Sequence, residues 1–397
     1  MKGTNFYSAD ILLPKKNFKE WSVIACDQYT SEPHYWEETK NTVGDKESAL
    51  NIILPEVFLS DDNFADIENI NKTMREYISG DVFNLFEDTM VYTRRTLKNG
   101  KVRNGLVGLI DLEEYSYEKG SKTSIRATEQ TVIERIPPRV KIRKDASIEI
   151  PHIMLLIDDP QRTVVEPIAE KSNKLDKLYD FDLMQNAGSI KGFKLTDNDV
   201  ENVQSSLECL KKNSLDGLLF AVGDGNHSLA TAKECYKMGK GSRYALVEVV
   251  NIHDLSLEFE PIYRVLFNVD AQKLINDFTA HYGESTDSES QKFTCVFNGI
   301  EKEISVNPGG TLCVATLQTF LDSYLKENPQ IKIDYIHGTD SVKELCKKEN
   351  TLGFIFEGME KSELFEAVSK DGSLPRKTFS MGCADDKRFY LEARKIV

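Results

Sequence analysis

The stretch from Leu218 to Lys233 constrains the fold more than any other part of the chain. An apolar run, Leu218-Leu-Phe-Ala221, passes directly into Val222-Gly-Asp-Gly-Asn-His-Ser228 and then into Leu229-Ala-Thr-Ala-Lys233. A buried strand, a tight polar loop and a helix start in immediate succession belong to an α/β protein. Gly223 and Gly225 allow positive φ or a close backbone approach. The first N–H groups of the following helix have no intrahelical partner, and the helix dipole favours negative charge beside them. A capping turn is the alternative, with Asn226 or Ser228 as the N-cap. A cap needs one such residue. Here Asp224, Asn226, His227 and Ser228 crowd together, and that density favours an anion site.

Within such a loop Asp224 can hold Mg²⁺ or accept a hydroxyl proton, and His227 can donate to a phosphoryl oxygen. The loop is not a phosphate-binding Walker loop, which ends in Gly-Lys-Ser/Thr. It is not a nucleophile elbow, because no serine sits at its centre. Nor do oxygen ligands continue at alternate positions as calcium loops require.

The chain has 397 residues, long for one domain and comfortable for two. Hydrophobic residues make up 40% and charged residues 29%, so a large core is expected and disorder is not. No apolar run reaches the roughly 18 residues of a membrane span, and the first ten residues lack a signal-peptide core. The expectation is a cytoplasmic protein with no membrane partner. Seven dispersed cysteines form no Cys-x-x-Cys pair, and the histidines show no metal-binding spacing, so a zinc site is not expected. A net charge of −14 argues against nucleic acid as a partner. It leaves room for a local basic pocket, and Arg126, Arg135, Arg139, Lys141 and Arg143 cluster in sequence.

Along the chain, Trp21–Ala25 reads as a strand and Pro33 as the first residue of a helix. Phe64, Ile67, Ile70, Met74 and Ile78 recur at helical spacing in a helix expected over 60–78. Met90–Thr96 and Val102–Asp111 read as a hairpin around Asn99-Gly100, and Phe293–Phe297 and Lys302–Val306 as another around Asn298-Gly299. Pro137-Pro138 reads as a break. Ile153–Ile157, Lys332–Ile336 and Gly353–Phe356 read as strands, and Leu317–Leu325 as a helix. The fold class is mixed α/β. A division is placed after Phe267, with residues 1–267 as the catalytic domain and 268–397 as a smaller α/β region contributing to the same site.

Three further stretches carry candidate residues. Asp27, in Cys26-Asp-Gln-Tyr29, stands at a strand exit and is either a turn residue or, beside Asp224, a base or metal ligand. In Ser124–Arg135, Arg126, Thr128 and Thr131 can bind phosphate and Glu129 can act as a base; the alternative is a solvated helix of Glu–Arg pairs. His337, in Tyr335-Ile-His-Gly-Thr-Asp340, lines a site or is structural.

Together these stretches resemble the bacterial and archaeal family known as domain of unknown function 1015 (DUF1015). The resemblance rests on Cys26–Tyr29, Ile125–Arg139, Pro151–Pro160, Phe220–Ala232, Tyr335–Asp340 and Leu374-Pro-Arg-Lys-Thr-Phe379, nearly the whole chain. In many relatives the central motif reads Ala-Asp-Gly-His-His-Arg, which is similar to the motif of the ParB/sulfiredoxin-like fold, free serine kinases included. The resemblance therefore implies a ParB/sulfiredoxin-like nucleotide-binding core with an additional mixed-sheet region. This chain departs from the motif: Asn226 stands where the first His is expected and Ser228 where the Arg is expected. Arg126, Arg135 or Lys377 then supplies the missing charge, or the ligand is smaller than a nucleotide.

The resemblance implies phosphoryl transfer between a nucleotide, ATP or ADP, and free serine. Asp27 or Glu129 would orient the serine hydroxyl, with Gln28 beside them. Gly223, Gly225, Asn226 and Ser228 would hold phosphates, and Mg²⁺ would bridge them to Asp224. Two alternatives stand: a nucleotide-independent phosphoserine phosphatase, and a non-enzymatic nucleotide- or metabolite-binding regulator. The partner expected is a small molecule, with a homodimer as a possible assembly.

Overall fold

The computed structural model describes residues 5–60 and 63–396. Mixed α/β is the class observed. The chain divides into two compact units. Unit 1 takes in residues 1–127, 131–257 and 383–397, and unit 2 takes in 128–130 and 258–382. The division falls at Leu257/Glu258, ahead of the 267/268 boundary expected from sequence, because Phe259–Phe267 is a strand of the unit 2 sheet.

Unit 1 is built on a ten-stranded mixed sheet. From one edge its strands run Asp176–Asp182, Ser189–Lys194, Val91–Thr96, Val102–Asp111, Tyr244–Asn251, Met154–Ile157, Phe220–Asp224, Ile125–Ala127 and Tyr115–Ser116, with Phe6–Tyr7 beside Val102–Asp111. The Asn99-Gly100 hairpin is present, and Gly100 takes the positive φ its turn needs. The strand Phe220–Asp224 lies parallel to Ile125–Ala127 and antiparallel to Met154–Ile157. Both faces are covered. Val91, Val107 and Leu246 pack into one core with Trp21, Ile11 and Leu391, while Tyr92, Leu106 and Val247 pack into a second with Phe220, Val222 and Leu229. The alternation along each strand is the period of two that a sheet imposes.

Three sequence expectations in unit 1 give way. Trp21–Ala25 is not a strand: Trp21 ends a short helix, Phe18–Trp21, and Ile24 makes a single bridge to Phe389. Pro137-Pro138 begins a helix, Ile136–Arg143, because proline is tolerated in a first turn whose N–H groups have no partner. Ser124–Arg135 is not a solvated helix but a buried strand followed by a loop and a short 3₁₀ turn. The helix expected over 60–78 runs Phe64–Ser79, with Asp61 and Asp62 outside the described residues. Ile70 and Met74 face the core, whereas Phe64 stays exposed.

The C-terminal segment of unit 1 is clamped by buried arginines. Arg388 pairs with Glu248 on the central strand and with Glu392. Arg103 donates to the Asp386 carbonyl at 2.7 Å, and Arg95 to the Asp385 carbonyl at 3.0 Å. These bonds fix the residue between them, Lys387.

Unit 2 is a separate mixed layer. Its sheet runs Ile300–Val306, Gln291–Phe297, Thr351–Phe356, Phe259–Phe267 and Lys332–His337. The Asn298-Gly299 hairpin forms with both turn residues at positive φ. Phe278 packs against Phe293, Phe320 and Phe354 at the centre.

Candidate functional site

The strand Phe220–Asp224 carries a bulge where it meets Met154–Ile157, since Val222 pairs with Leu155 and Asp224 with Met154, leaving Gly223 unpaired. Such an extra residue re-aims the side chain that follows, here Asp224. Gly225 then takes the left-handed conformation, φ 79° and ψ 25°. A Cβ there would come within 3.0 Å of the Ile153 backbone, so glycine is required on two counts. The helix Asn226–Lys237 starts immediately. Its cap position is Gly225, and no side chain caps it. The capping-turn alternative is therefore wrong: neither Asn226 nor Ser228 is the N-cap.

Asp224 Oδ1 accepts from its neighbour Gly225 N–H at 2.9 Å, and Oδ2 lies 3.5 Å from Lys387 Nζ. The Asn226 Oδ1 and Thr131 Oγ1 atoms are buried without a hydrogen-bond partner among the described residues. A buried polar atom left unsatisfied calls for an explanation, an absent polar ligand being one. His227 Nε2 accepts from the Val132 N–H at 3.3 Å, which leaves Nδ1 to carry the ring proton. Burial, reinforced by the charges of Arg139 and Arg135, pushes His227 down to about 4, so the ring is neutral at pH 7.

Asp27 lies on the turn that follows Ile24. Its Oδ1 accepts from Gln28 Nε2 at 3.1 Å, and its Oδ2 lies 3.7 Å from His152 Nε2. Burial raises this carboxyl, but His152, the Gln28 hydrogen bond and Lys387 together outweigh it and hold it below the usual carboxylate range. With 30% of the side chain exposed, Asp27 is both surrounded and reachable by water. Behind it, the Tyr390 hydroxyl accepts from the Cys26 N–H at 3.2 Å and stands 2.9 Å from His152 Nδ1. His152 thus stands between the Tyr390 hydroxyl and the Asp27 carboxylate, with one ring nitrogen toward each. Burial keeps Tyr390 protonated and pushes the Cys26 thiol up to about 12, which removes Cys26 as a nucleophile at neutral pH.

Unit 1 thus gathers Asp27, Gln28, Gly223, Asp224, Gly225, Asn226, His227 and Ser228, with the charge of Arg135 reaching His227. Two residues were missed from sequence. His152 showed no metal-binding spacing, and Lys387 sits in a tail that carried no motif. The one available signal for Lys387 was its place beside an arginine in an otherwise acidic segment.

Arg126 is corrected. Its guanidinium donates to the Thr123 carbonyl and pairs with Asp216 at 3.0 Å. Asp216 precedes the strand Phe220–Asp224, so Arg126 is turned toward the end of that strand opposite the loop. Thr128, Glu129, His337 and Lys377 belong to unit 2. There the Leu374 N–H donates to the Thr128 carbonyl, and Glu129 bridges Leu374. His337 ends a strand and is exposed, and the Lys377 carbonyl accepts from Arg264.

The Mg²⁺ expected on Asp224 does not fit this donor set. One carboxylate oxygen is taken by an N–H and the other faces an ammonium, so a metal ion there would displace a cation already in place. Among the described residues, no group of three or more metal-ligating side chains is present.

In this mixed α/β unit an uncapped helix start thus lies beside two carboxylates and a lysine. A match to the family described as "Protein of unknown function (DUF1015)" covers residues 9–324, and the chain belongs to that family. No curated protein matches. Among solved structures, the chain is similar to a mutant free serine kinase in complex with ADP, at 13% identity and TM-score 0.41, over 73% of this chain and 92% of that one. It is also similar to a conserved hypothetical protein from Pyrococcus furiosus, at 14% identity and TM-score 0.37, over 72% and 94%. A third is SbnI from Staphylococcus aureus with a C-terminal truncation, at 11% identity and TM-score 0.37, over 71% and 86%. Likenesses this slight carry no chemistry over to this chain. No described helix is long and apolar enough to cross a membrane.

Proposed function

We propose that unit 1 binds the phosphates of a nucleotide and exchanges a phosphoryl group with a small hydroxyl acceptor, free serine being the acceptor the family resemblance suggests. The observation that carries this reading is the gathering of Asp27 and Asp224 about Lys387 at the uncapped start of the helix Asn226–Lys237. Backbone N–H groups and an ammonium there favour phosphate oxygens. Asp27 is ionised at neutral pH and accepts the hydroxyl proton as the acceptor oxygen bonds to phosphorus. The bond from phosphorus to the leaving phosphate breaks in the same step. Because that transition state is loose, a carboxylate of low basicity suffices, since its main work is orientation. His227 donates from Nδ1 to a phosphate oxygen, and Lys387 and Arg135 neutralise charge.

Phosphorus NMR on the purified chain with serine and ATP, and in reverse with phosphoserine and ADP, tests the reading. Nucleotide-dependent appearance of phosphoserine, or of ATP in reverse, is expected. Release of inorganic phosphate from phosphoserine without nucleotide would replace the reading with a phosphatase. No change in any tube would leave binding without chemistry.

A further inference from the structure

We propose that unit 2 carries its own site for a phosphate-bearing small anion, built around Tyr335 by Arg264, Arg376 and Lys377. Arg264 lies on the strand Phe259–Phe267, directly opposite Tyr335 on Lys332–His337, so the two share one face of the sheet. Arg264 is fully buried. Its guanidinium has no carboxylate at ion-pair distance among the described residues. It donates instead to Gln318 Oε1 at 2.9 Å and to three carbonyls, of Ile262, Lys377 and Arg376. Burying a charge against neutral acceptors is costly. Burial pushes Arg264 down to about 10, although the fields of Tyr335, Glu129 and Asp322 oppose that.

What the buried charge secures is the turn Pro375–Thr378. Two of its carbonyls bind Arg264, Thr378 Oγ1 donates to the Pro375 carbonyl, and Lys377 is held at a φ of 56° that a lysine rarely adopts. The turn sets two exposed cations side by side. Arg376 and Lys377 stand 5.8 and 5.9 Å from the Tyr335 ring centroid, with Arg264 at 4.9 Å. Neither exposed cation pairs with a carboxylate among the described residues. Each gains a cation–π contact, but adjacent like charges also repel, and strained backbone is spent to keep them adjacent. The Tyr335 hydroxyl is buried without a hydrogen-bond partner among the described residues. Two unpaired positive charges beside a donor that lacks an acceptor complement a phosphate monoester, which carries between one and two negative charges at neutral pH.

This site does not rest on the reading of unit 1, and one experiment separates them. The full chain is acetylated with limiting reagent in chloride and in inorganic phosphate at equal ionic strength, and each lysine is read by peptide mass spectrometry. Phosphate is expected to slow modification of Lys377 by about tenfold, leaving the exposed Lys326 and Lys348 of the same unit unchanged. Tyr335→Phe, which keeps the ring, should reduce that protection. Equal reactivity of Lys377 with and without phosphate overturns the site, whatever happens at Lys387. Protection of Lys377 with none at Lys387 supports it while counting against the reading of unit 1. Equal protection by acetate would overturn the assignment to phosphate.

Discussion

His152 Nε2 stands 3.7 Å from Asp27 Oδ2, and its other nitrogen is tied to the Tyr390 hydroxyl at 2.9 Å. The imidazole is therefore held in place between a phenol and a carboxylate. His152→Gln removes an influence that lowers the Asp27 pKa, so that pKa rises. If Asp27 must be ionised, activity fails as pH falls through its pKa. The acid limb of the pH–rate profile should then move to higher pH by about one unit. Tyr390→Phe should produce a smaller shift of the same sign. An unmoved acid limb in His152→Gln would detach His152 from Asp27.

Lys387 contacts Asp224 and influences Asp27, and the protein holds its segment with three arginines. Lys387→Gln should weaken nucleotide binding by about tenfold or more, the scale of one charge-assisted contact. It should move Tm little, because the clamping bonds belong to its neighbours. Calorimetric titration with ADP and a thermal melt separate the two effects. Arg388→Ala is the contrast. It leaves Glu248 and Glu392 buried without their partner and should cost about 3–5 kcal/mol of stability.

The contrast between Lys387 and the loop marks what the sequence makes legible. The strand, bulge and helix of Phe220–Lys237 are local, and their glycines, apolar run and helix formers sit next to each other in the chain. The Asn-Gly hairpins and the helix begun by Pro33 were readable for the same reason. Trp21–Ala25 has the composition of a strand but makes, among the described residues, a single isolated bridge, Ile24 to Phe389 from the far end of the chain. Lys387 and His152 acquire meaning only when the C-terminal segment docks through Arg388. No periodicity encodes that event. Arg126 misled because its motif advertises a phosphate ligand while Asp216, many residues away, claims the guanidinium.

For Arg126→Ala the expected outcome is accordingly a loss of stability and not of affinity. The substitution removes one of the cations that Asp216 pairs with, leaving Lys122 at 2.7 Å, and takes the Arg126 donor from the Thr123 carbonyl. Urea denaturation should register about 1–3 kcal/mol, the usual cost of removing the hydrogen bonds made by a buried charged group. The folded fraction should bind phosphate as before. A selective loss of phosphate affinity would return Arg126 to the site.

Gly225→Ala adds a methyl group at φ 79°, within 3.0 Å of Ile153 Cα and 3.1 Å of its Cγ1. Backbone cannot yield there as a flexible side chain would. The variant should lose about 1–3 kcal/mol, and the helix start should shift enough to abolish nucleotide binding in the protein that still folds. Gly239→Ala is the control: that glycine also has positive φ, but nothing lies within 4 Å of the added methyl. It should cost stability alone.

His227 supplies a prediction about pH that needs no substrate. Its folded pKa, about 4, lies below the ordinary value of 6.5. Between those limits the unfolded chain binds a proton that the folded chain refuses, so stability rises with pH across the window and is lost as pH falls from 6.5 toward 4. The cause is desolvation first and the positive charges of Arg139 and Arg135 second. His227→Gln keeps an acceptor for the Val132 N–H and removes the titration. Tm measured at intervals from pH 7 to pH 4 should therefore fall less steeply in the variant than in the parent. Identical slopes would mean that His227 titrates alike in the folded and unfolded chain, and the neutral donor assigned to it beside the phosphates would have no basis.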